Sequence, residues 1–116
     1  MIRTLVLAVA VVIVPSAAVI SHSKAEVCTP GWAAAHRHVT TAQRVRIRLR
    51  DHATTGGEID HRVPLELGGS NLDVNLRWQA PVDAILKDRA ERRAHADVCA
   101  GRTTLADAQA AMWSWT

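Results

Sequence analysis

Apolar and polar residues along the chain follow two different periods, which together predict a mixed α+β protein. Residues 58–63 alternate and include two β-branched side chains, so we expect a short strand that Pro64 ends. Residues 75–79 can return as a second short strand. Behind Pro81, which suits the first turn of a helix, apolar residues recur at helical spacing as far as Cys99. The face expected to be buried comprises Val82, Ile85, Leu86, Ala90, Ala94 and Val98.

The segment before the first strand is open to two interpretations. Thr40, followed three residues later by Gln43, resembles a capping box that begins a helix. The stretch "RVRIRLR" at 44–50 alternates strictly, however, as a strand would. We favour the helix, with Val45 and Leu49 facing inward, and keep the strand as the alternative.

Turn and cap signals predict the remaining elements. Gly68 and Gly69 predict a tight reversal between the two strands, because glycine reaches positive φ at little cost. Thr104, with Asp107 three residues on, predicts the start of a last helix. Its inward-facing residues are expected to be Leu105, Ala108 and Met112. The predicted order is therefore helix, strand, long turn, strand, helix, helix.

The N-terminal segment has the pattern of a secretory signal peptide. Arg3 precedes an apolar run from 5 to 20, and small residues stand at Ser23 and Ala25, which predicts a leader at 1–25 and a single mature domain at 26–116. The mature protein is then secreted or periplasmic, without stable membrane association. A retained membrane anchor is the alternative, although Pro15 interrupts the apolar run.

Composition limits the mature domain to a thin core. The chain contains four tryptophans but no phenylalanine or tyrosine. Its net charge is +3, and removing Arg3 and Lys24 with the leader leaves +1, so net charge alone does not argue for nucleic acid. An exported protein meets an oxidising compartment, so the two cysteines, Cys28 and Cys99, are expected to form a disulfide that contributes about 4 kcal/mol. Two free buried thiols are the alternative.

The most informative stretch is "EIDHRVPLELGGSNLDVNL" at 58–76, which places Asp60 and His61 at the end of the first predicted strand. Strand, turn, strand and helix form a ββα unit. Hydrolysis of a phosphodiester requires an activated water, a cation near the phosphate and a geometry that aligns them. A neutral imidazole can accept the water's proton near neutral pH, and an adjacent carboxylate can hold the cation.

The residues "DHRVPLELGGSNLDVNL" resemble the HNH, or ββα-metal, nuclease superfamily. "CTPGW", "RHVT", "KDRAE", "VCAG" and "TLADAQ" are similar to a family of small exported bacterial HNH-like proteins, so the resemblance covers about residues 28–113. It implies a small ββα-metal hairpin-plus-helix core with flanking N- and C-terminal helices. By position, it makes His61 the general base, Asp60 a metal ligand and Asn75 the residue that closes the hairpin and orients the imidazole.

The chain departs from the family pattern at a second metal ligand. HNH nucleases usually supply one, most often histidine, from the helix, at a position that falls near Ala84 here. Asp83 or Asp88 could replace it from neighbouring turns. The alternative is that Asp83 with Lys87, and Asp88 with Arg92, form ordinary salt pairs at i, i+4.

The sequence thus predicts a metal-dependent nuclease that cleaves DNA or RNA outside the cytoplasm with Mg²⁺, Mn²⁺, Ni²⁺ or Zn²⁺. Arg62, Arg77 and Lys87 are the candidate phosphate contacts. The alternative is a catalytically weak or inactive module of the same fold that binds nucleic acid or an anionic cell-surface polymer. A GxSxG motif, a phosphate-binding P-loop and a dinucleotide fingerprint are absent from the sequence.

Overall fold

In the part of the chain that the structure describes, five helices combine with a small antiparallel sheet, which confirms the predicted α+β class. The computed structural model describes residues 2–8 and 11–116. The strands are β1 (Glu58–His61) and β2 (Leu76–Gln79). The helices are α1 (Lys24–Val27), α2 (Trp32–Ala35), α3 (Thr41–Arg50), α4 (Pro81–Cys99) and α5 (Leu105–Trp113). Single 3₁₀ turns lie at Ser16–Ala18, Leu65–Leu67 and Asp73–Asn75.

The two strands pair in register from Glu58 opposite Gln79 to His61 opposite Leu76. Their connection, 62–75, contains two 3₁₀ turns and is longer than a tight hairpin. Gly68 adopts φ 82°, where glycine is favoured. Any Cβ on Gly69 would overlap the carbonyl oxygen of Val63. The double glycine therefore allows this loop to fold back against the end of β1.

Helix α3 is a helix, as predicted, but its buried face differs from the predicted one. The Thr40 hydroxyl accepts a hydrogen bond from the Gln43 amide (3.1 Å), and the Gln43 side chain accepts one from the Thr40 amide (2.9 Å). Ile47 is the buried apolar residue, whereas Val45 and Leu49 are exposed. The capping box fixes where the helix begins, and packing against the sheet decides which face is buried.

Helix α4 has the predicted bounds, but the predicted apolar face was wrong over its first two turns. Val82, Ile85 and Leu86 are exposed, and Lys87 is fully buried. The reason is electrostatic, because carboxylates on the sheet and on α4 bind the lysine ammonium and turn this side of the helix inward. Further along, Val98 is buried, as predicted.

A single apolar core lies between the connection, the end of α4 and α5. Leu105, Ala108 and Met112 of α5 are buried, as predicted. They pack in one cluster with Val19, Val27, Val63, Leu67 and Val98. A disulfide joins Cys28, directly after α1, to Cys99 at the end of α4, so the free-thiol alternative is wrong.

Residues 15–21, which we call the N-terminal strap, pack against the strand connection. The Ile20 amide donates to the Gly68 carbonyl (2.8 Å), and the Ser70 amide donates to the Ala18 carbonyl (2.9 Å). Ala18 is fully buried. The strap lies within the predicted leader, 1–25, so cleavage after Ala25 would remove these contacts. In the described ranges, no helix is both long and apolar enough to cross a membrane.

Candidate catalytic cavity

A cavity of about 430 Å³ opens beside the end of β1 and is walled by the strand, the following loop, α4 and the segment around α3. Asp60 and His61 both line it. The other charged residues on its walls are Arg37, Arg44, Glu58, Glu66, Asp88, Glu91 and Arg92. The cavity therefore combines an imidazole, several carboxylates and three guanidinium groups.

Asn71 fixes the tautomer of the His61 imidazole. The Asn71 side-chain amide donates to the His36 carbonyl (2.6 Å), and its oxygen accepts from the His38 backbone amide (3.2 Å). These two contacts leave only the Asn71 oxygen to face His61 Nε2, at 2.9 Å. Because that oxygen can only accept, Nε2 carries the proton and Nδ1 holds a free lone pair.

The His61 imidazole is neutral near pH 7, and its Nδ1 atom is not enclosed by the protein. Burial lowers the pKa of the imidazole, and the charge of Arg37 lowers it further, against the hydrogen bond from His61 to Asn71, which raises it. Nδ1 hydrogen-bonds to none of the described residues, and it is not among the enclosed polar atoms that lack a partner. A neutral imidazole with an open lone pair is the state that a general base needs near neutral pH.

Asp60 is paired with a buried ammonium group. Lys87 Nζ lies 2.5 Å from Asp60 Oδ2, 2.7 Å from the His61 carbonyl oxygen and 2.7 Å from Glu91 Oε1. Arg77 Nε is 3.9 Å from the same Asp60 oxygen. All three N–H bonds of Lys87 are therefore used, so this residue has no donor left for the phosphate contact predicted for it. Its ammonium stands where a cation bound by Asp60 would lie.

Lys87 shares one ammonium between a buried carboxylate, Asp60, and a partly buried one, Glu91, so one negative charge is only partly compensated. Burial raises the pKa of Glu91 to about 7, although the charge and hydrogen bond of Lys87 lower it. Burial also raises the pKa of Asp60, again opposed by Lys87. Glu91 is thus a carboxyl group that can take up a proton close to neutral pH.

Glu58 and Asp88 are two further carboxylates on the cavity walls, with oxygen atoms of the kind that a hard divalent cation binds. Partial burial and the nearby charges of Asp88 and Asp60 raise the pKa of Glu58. Asp83, the other candidate on α4, is exposed and is not among the cavity residues. At this cavity, no three imidazole or carboxylate ligands of the described residues lie within 4.8 Å of one another. The walls therefore fit a hard ion bound by one or two carboxylates and water, as Mg²⁺ often is, better than a Zn²⁺ cage.

Asn75 closes the loop but does not touch the imidazole. Its side-chain oxygen accepts from the Val63 amide (2.9 Å), and its amide donates to the carbonyls of Val63 and Ser70 (both 2.9 Å). Orientation of His61 falls to Asn71. Sequence reasoning treated the "GGSN" stretch only as a turn, although its last residue carries a side-chain amide ten positions from the histidine.

The two predicted phosphate-binding arginines, Arg62 and Arg77, do not line the cavity that contains His61. Arg62 donates to the Trp113 carbonyl (2.8 Å) and lies 3.5 Å over the Trp113 ring, and Arg77 donates to the Trp115 carbonyl (2.7 Å). Both line a second cavity of about 490 Å³. The arginines that line the cavity together with His61 are Arg37, Arg44 and Arg92.

A second group of ligand-type side chains lies at the disulfide. Cys28, His95 and Cys99 place one ligand atom each within 4.8 Å of one another, so the group could bind a metal ion. The disulfide between the two sulfur atoms is also compatible with an extracytoplasmic location.

The chain matches no protein-family model, no curated protein and no solved structure. Its chemistry must therefore be inferred from the geometry of its own residues.

Proposed function

We propose that this protein is a metal-dependent nuclease with an HNH-like ββα site, in which β1, β2 and α4 form the ββα unit and His61 is the general base. The observation that supports this most directly is the His61 imidazole, which lines a charged cavity and is held by Asn71 through Nε2, while Nδ1 hydrogen-bonds to none of the described residues. A histidine whose pKa is shifted by burial and by neighbouring charges, and which lines a cleft, is a candidate for a functional site.

The cavity residues divide the chemistry among them. His61 Nδ1 takes the proton of the attacking water, while Arg37, Arg44 and Arg92 attract and position the phosphate. Glu58 and Asp88 would hold the divalent cation, which supplies charge stabilisation to the phosphate oxygens. Asp60 stays with Lys87 and fixes the end of β1 against α4.

The substrate is a nucleic acid recognised through its backbone. Guanidinium groups bind phosphate without reading base sequence, and such contacts weaken steeply as salt rises. We therefore expect cleavage of DNA or RNA with little sequence preference and a strong dependence on ionic strength. The export predicted from the leader would place this activity outside the cytoplasm.

A second candidate function rests on Lys87. Because its ammonium fills the position beside Asp60, the protein could instead be a weak or inactive module that keeps the fold and binds nucleic acid or an anionic cell-surface polymer. The two functions differ in whether any metal ion supports cleavage.

Plasmid DNA and a structured RNA, each incubated with the purified protein and Mg²⁺, Mn²⁺, Ni²⁺, Zn²⁺ or a chelator, separate the two functions. The nuclease requires metal-dependent cleavage that falls about a hundredfold or more in His61→Ala. The matched control is His52→Asn, since His52 is exposed and has φ 52°, which asparagine tolerates. Binding without cleavage in every metal supports the module and contradicts the nuclease.

A further inference from the structure

The disulfide joins the ends of two helices beside a histidine that the proposed reaction does not use. Cys28 follows α1 and Cys99 is the last residue of α4. His95 stands one helical turn before Cys99, with Nε2 3.6 Å from the Cys99 sulfur and 2.9 Å from the Val27 carbonyl oxygen. All three side chains of the Cys28, His95 and Cys99 group are partly buried.

We propose that Cys28, His95 and Cys99 form a metal site that exists only in the reduced protein and takes a thiophilic divalent cation such as Zn²⁺. Two thiolates and an imidazole are the ligand types that Zn²⁺ prefers, and water completes a tetrahedral shell. The three ligand atoms lie within 4.8 Å of one another, so after reduction they are close enough to reach one cation once the two sulfur atoms move apart. While the disulfide is intact, the sulfur atoms are not thiolates and the site is closed.

The reaction that opens the site is a thiol–disulfide exchange. A dithiol reductant supplies two electrons and two protons, the bond between the Cys28 and Cys99 sulfurs breaks, and the reductant becomes a disulfide. Metal binding then displaces the two thiol protons into solvent as two sulfur–metal bonds form. The Val27 carbonyl shows that His95 Nε2 now carries a proton, so this proton leaves Nε2 and Nδ1 takes one up as the nitrogen binds the metal.

The two states hold the same elements together by different means. The disulfide links α1 to α4 covalently, and the metal would link the same residues through coordination, whose binding energy becomes folding energy. The cation thus replaces the covalent link under reducing conditions, and each state excludes the other. The metal site shares no residue with the cavity that contains His61. It therefore does not depend on the proposed nuclease activity.

Cobalt is the direct probe of this site, because a thiolate–Co²⁺ bond gives a charge-transfer band that carboxylate sites do not. The full chain, reduced with a phosphine and titrated with Co²⁺, should show this band and lose it when Zn²⁺ displaces Co²⁺. The oxidised chain should show no band. Cys28→Ser should abolish it, and His95→Ala should weaken Co²⁺ affinity more than about a hundredfold. His38→Ala, which removes an exposed imidazole, is the matched control and should bind like the parent chain.

Two outcomes would overturn the proposal. One is a reduced chain without the band. The other is His95→Ala with unchanged affinity, which is also the result if reduction unfolds the chain and its thiols bind metal independently of the fold. Reoxidation by oxidised glutathione gives a second readout, since Zn²⁺ should slow disulfide formation at least about tenfold in the parent chain and much less in His95→Ala. Equal reoxidation rates with and without Zn²⁺ would likewise exclude the site.

Discussion

At the scale of single residues, the amide of Asn71 decides which nitrogen of His61 is available. Replacing Asn71 with alanine frees Nε2 and lets the imidazole turn or change tautomer. We expect Asn71→Ala to lower kcat about tenfold to a hundredfold with little change in KM, because the base is misplaced while the phosphate contacts remain. Nitrogen-15 chemical shifts of His61 should change from a single Nε2–H tautomer to a mixture.

The control for this variant is Leu72→Ala, which alters an exposed neighbour in the same loop. It should keep the kcat of the parent protein and the single tautomer. A purely structural role for Asn71 would predict a lower melting temperature with the tautomer unchanged, and that result would contradict the role given to this residue.

Glu91 makes the stability of the fold depend on pH near neutrality. Its pKa is raised from 4.5 to about 7 in the folded state, so the folded protein binds this proton more tightly than the unfolded chain does. The contribution of this group to the free energy of unfolding is therefore complete below pH 4.5 and is lost as the pH rises through about 7. Urea denaturation of Glu91→Gln, measured across this range, should give a flatter curve of stability against pH than the parent protein.

Asp83→Asn is the matched control for Glu91→Gln, since it removes an exposed carboxylate from the same helix and leaves the contacts of Lys87 in place. It should keep the slope of the parent protein between these pH values. If Glu91→Gln retains that slope as well, Glu91 is not the group responsible.

At the scale of elements, local signals predicted where helices and strands begin and end better than which faces they bury. Thr40, Pro81 and Thr104 each act on the adjacent backbone, and the three helices that follow them begin where the sequence indicated. The buried face of α4 depends instead on Lys87, whose partners lie on β1 and one turn further along α4. A hydrophobicity pattern predicts that a lysine is exposed, because the pattern contains no information about partners that could hold its charge in the interior.

In the candidate site, too, the sequence predicted the residues that are close together in the chain and missed those that only tertiary contacts bring there. Asp60 and His61 were found because they are adjacent in the sequence and on the same strand, and the structure places both at one cavity. Asn71 contacts His61, and Arg37 reaches the cavity wall, only through the folding of the loop and of the segment before α3. Their contributions depend on tertiary contacts between distant residues, so the residue types alone did not reveal them.

The strand connection can be tested through its second glycine. A Cβ on Gly69 would overlap the Val63 carbonyl, a backbone atom that cannot move aside cheaply. We expect Gly69→Ala to destabilise the protein by about 3 kcal/mol or more, measured by urea denaturation. The control is Gly31→Ala, where φ is 85° but no atom lies within 4 Å of the new Cβ, so only backbone strain of about 1 kcal/mol applies. Equal losses in the two variants would show that crowding at Gly69 is not the cause.

At the scale of the whole molecule, the strap contributes apolar side chains and hydrogen bonds to a small core. Val19 belongs to the apolar cluster, and the Gln109 side chain of α5 donates to the Ser21 carbonyl (3.0 Å) as well as to the Leu67 carbonyl (2.9 Å). The strap therefore contacts both the loop between the two strands and the last helix, α5. A mature chain that begins at residue 26 must fold without these contacts.

Comparing a chain of residues 15–116 with one of residues 26–116 measures what the strap contributes together with residues 22–25, which begin α1. The shorter chain loses the burial of Val19 and the backbone partners of Gly68 and Ser70, while both chains keep the Cys28–Cys99 disulfide. We expect a loss of about 3 kcal/mol, or a fall in melting temperature of roughly 12 °C or more. The full chain of residues 1–116 is the control and should melt close to the 15–116 form, because most of the preceding described side chains are exposed. A 26–116 chain that melts at the same temperature as the longer forms would show that water replaces the strap at no cost, and the fold would then be complete without it.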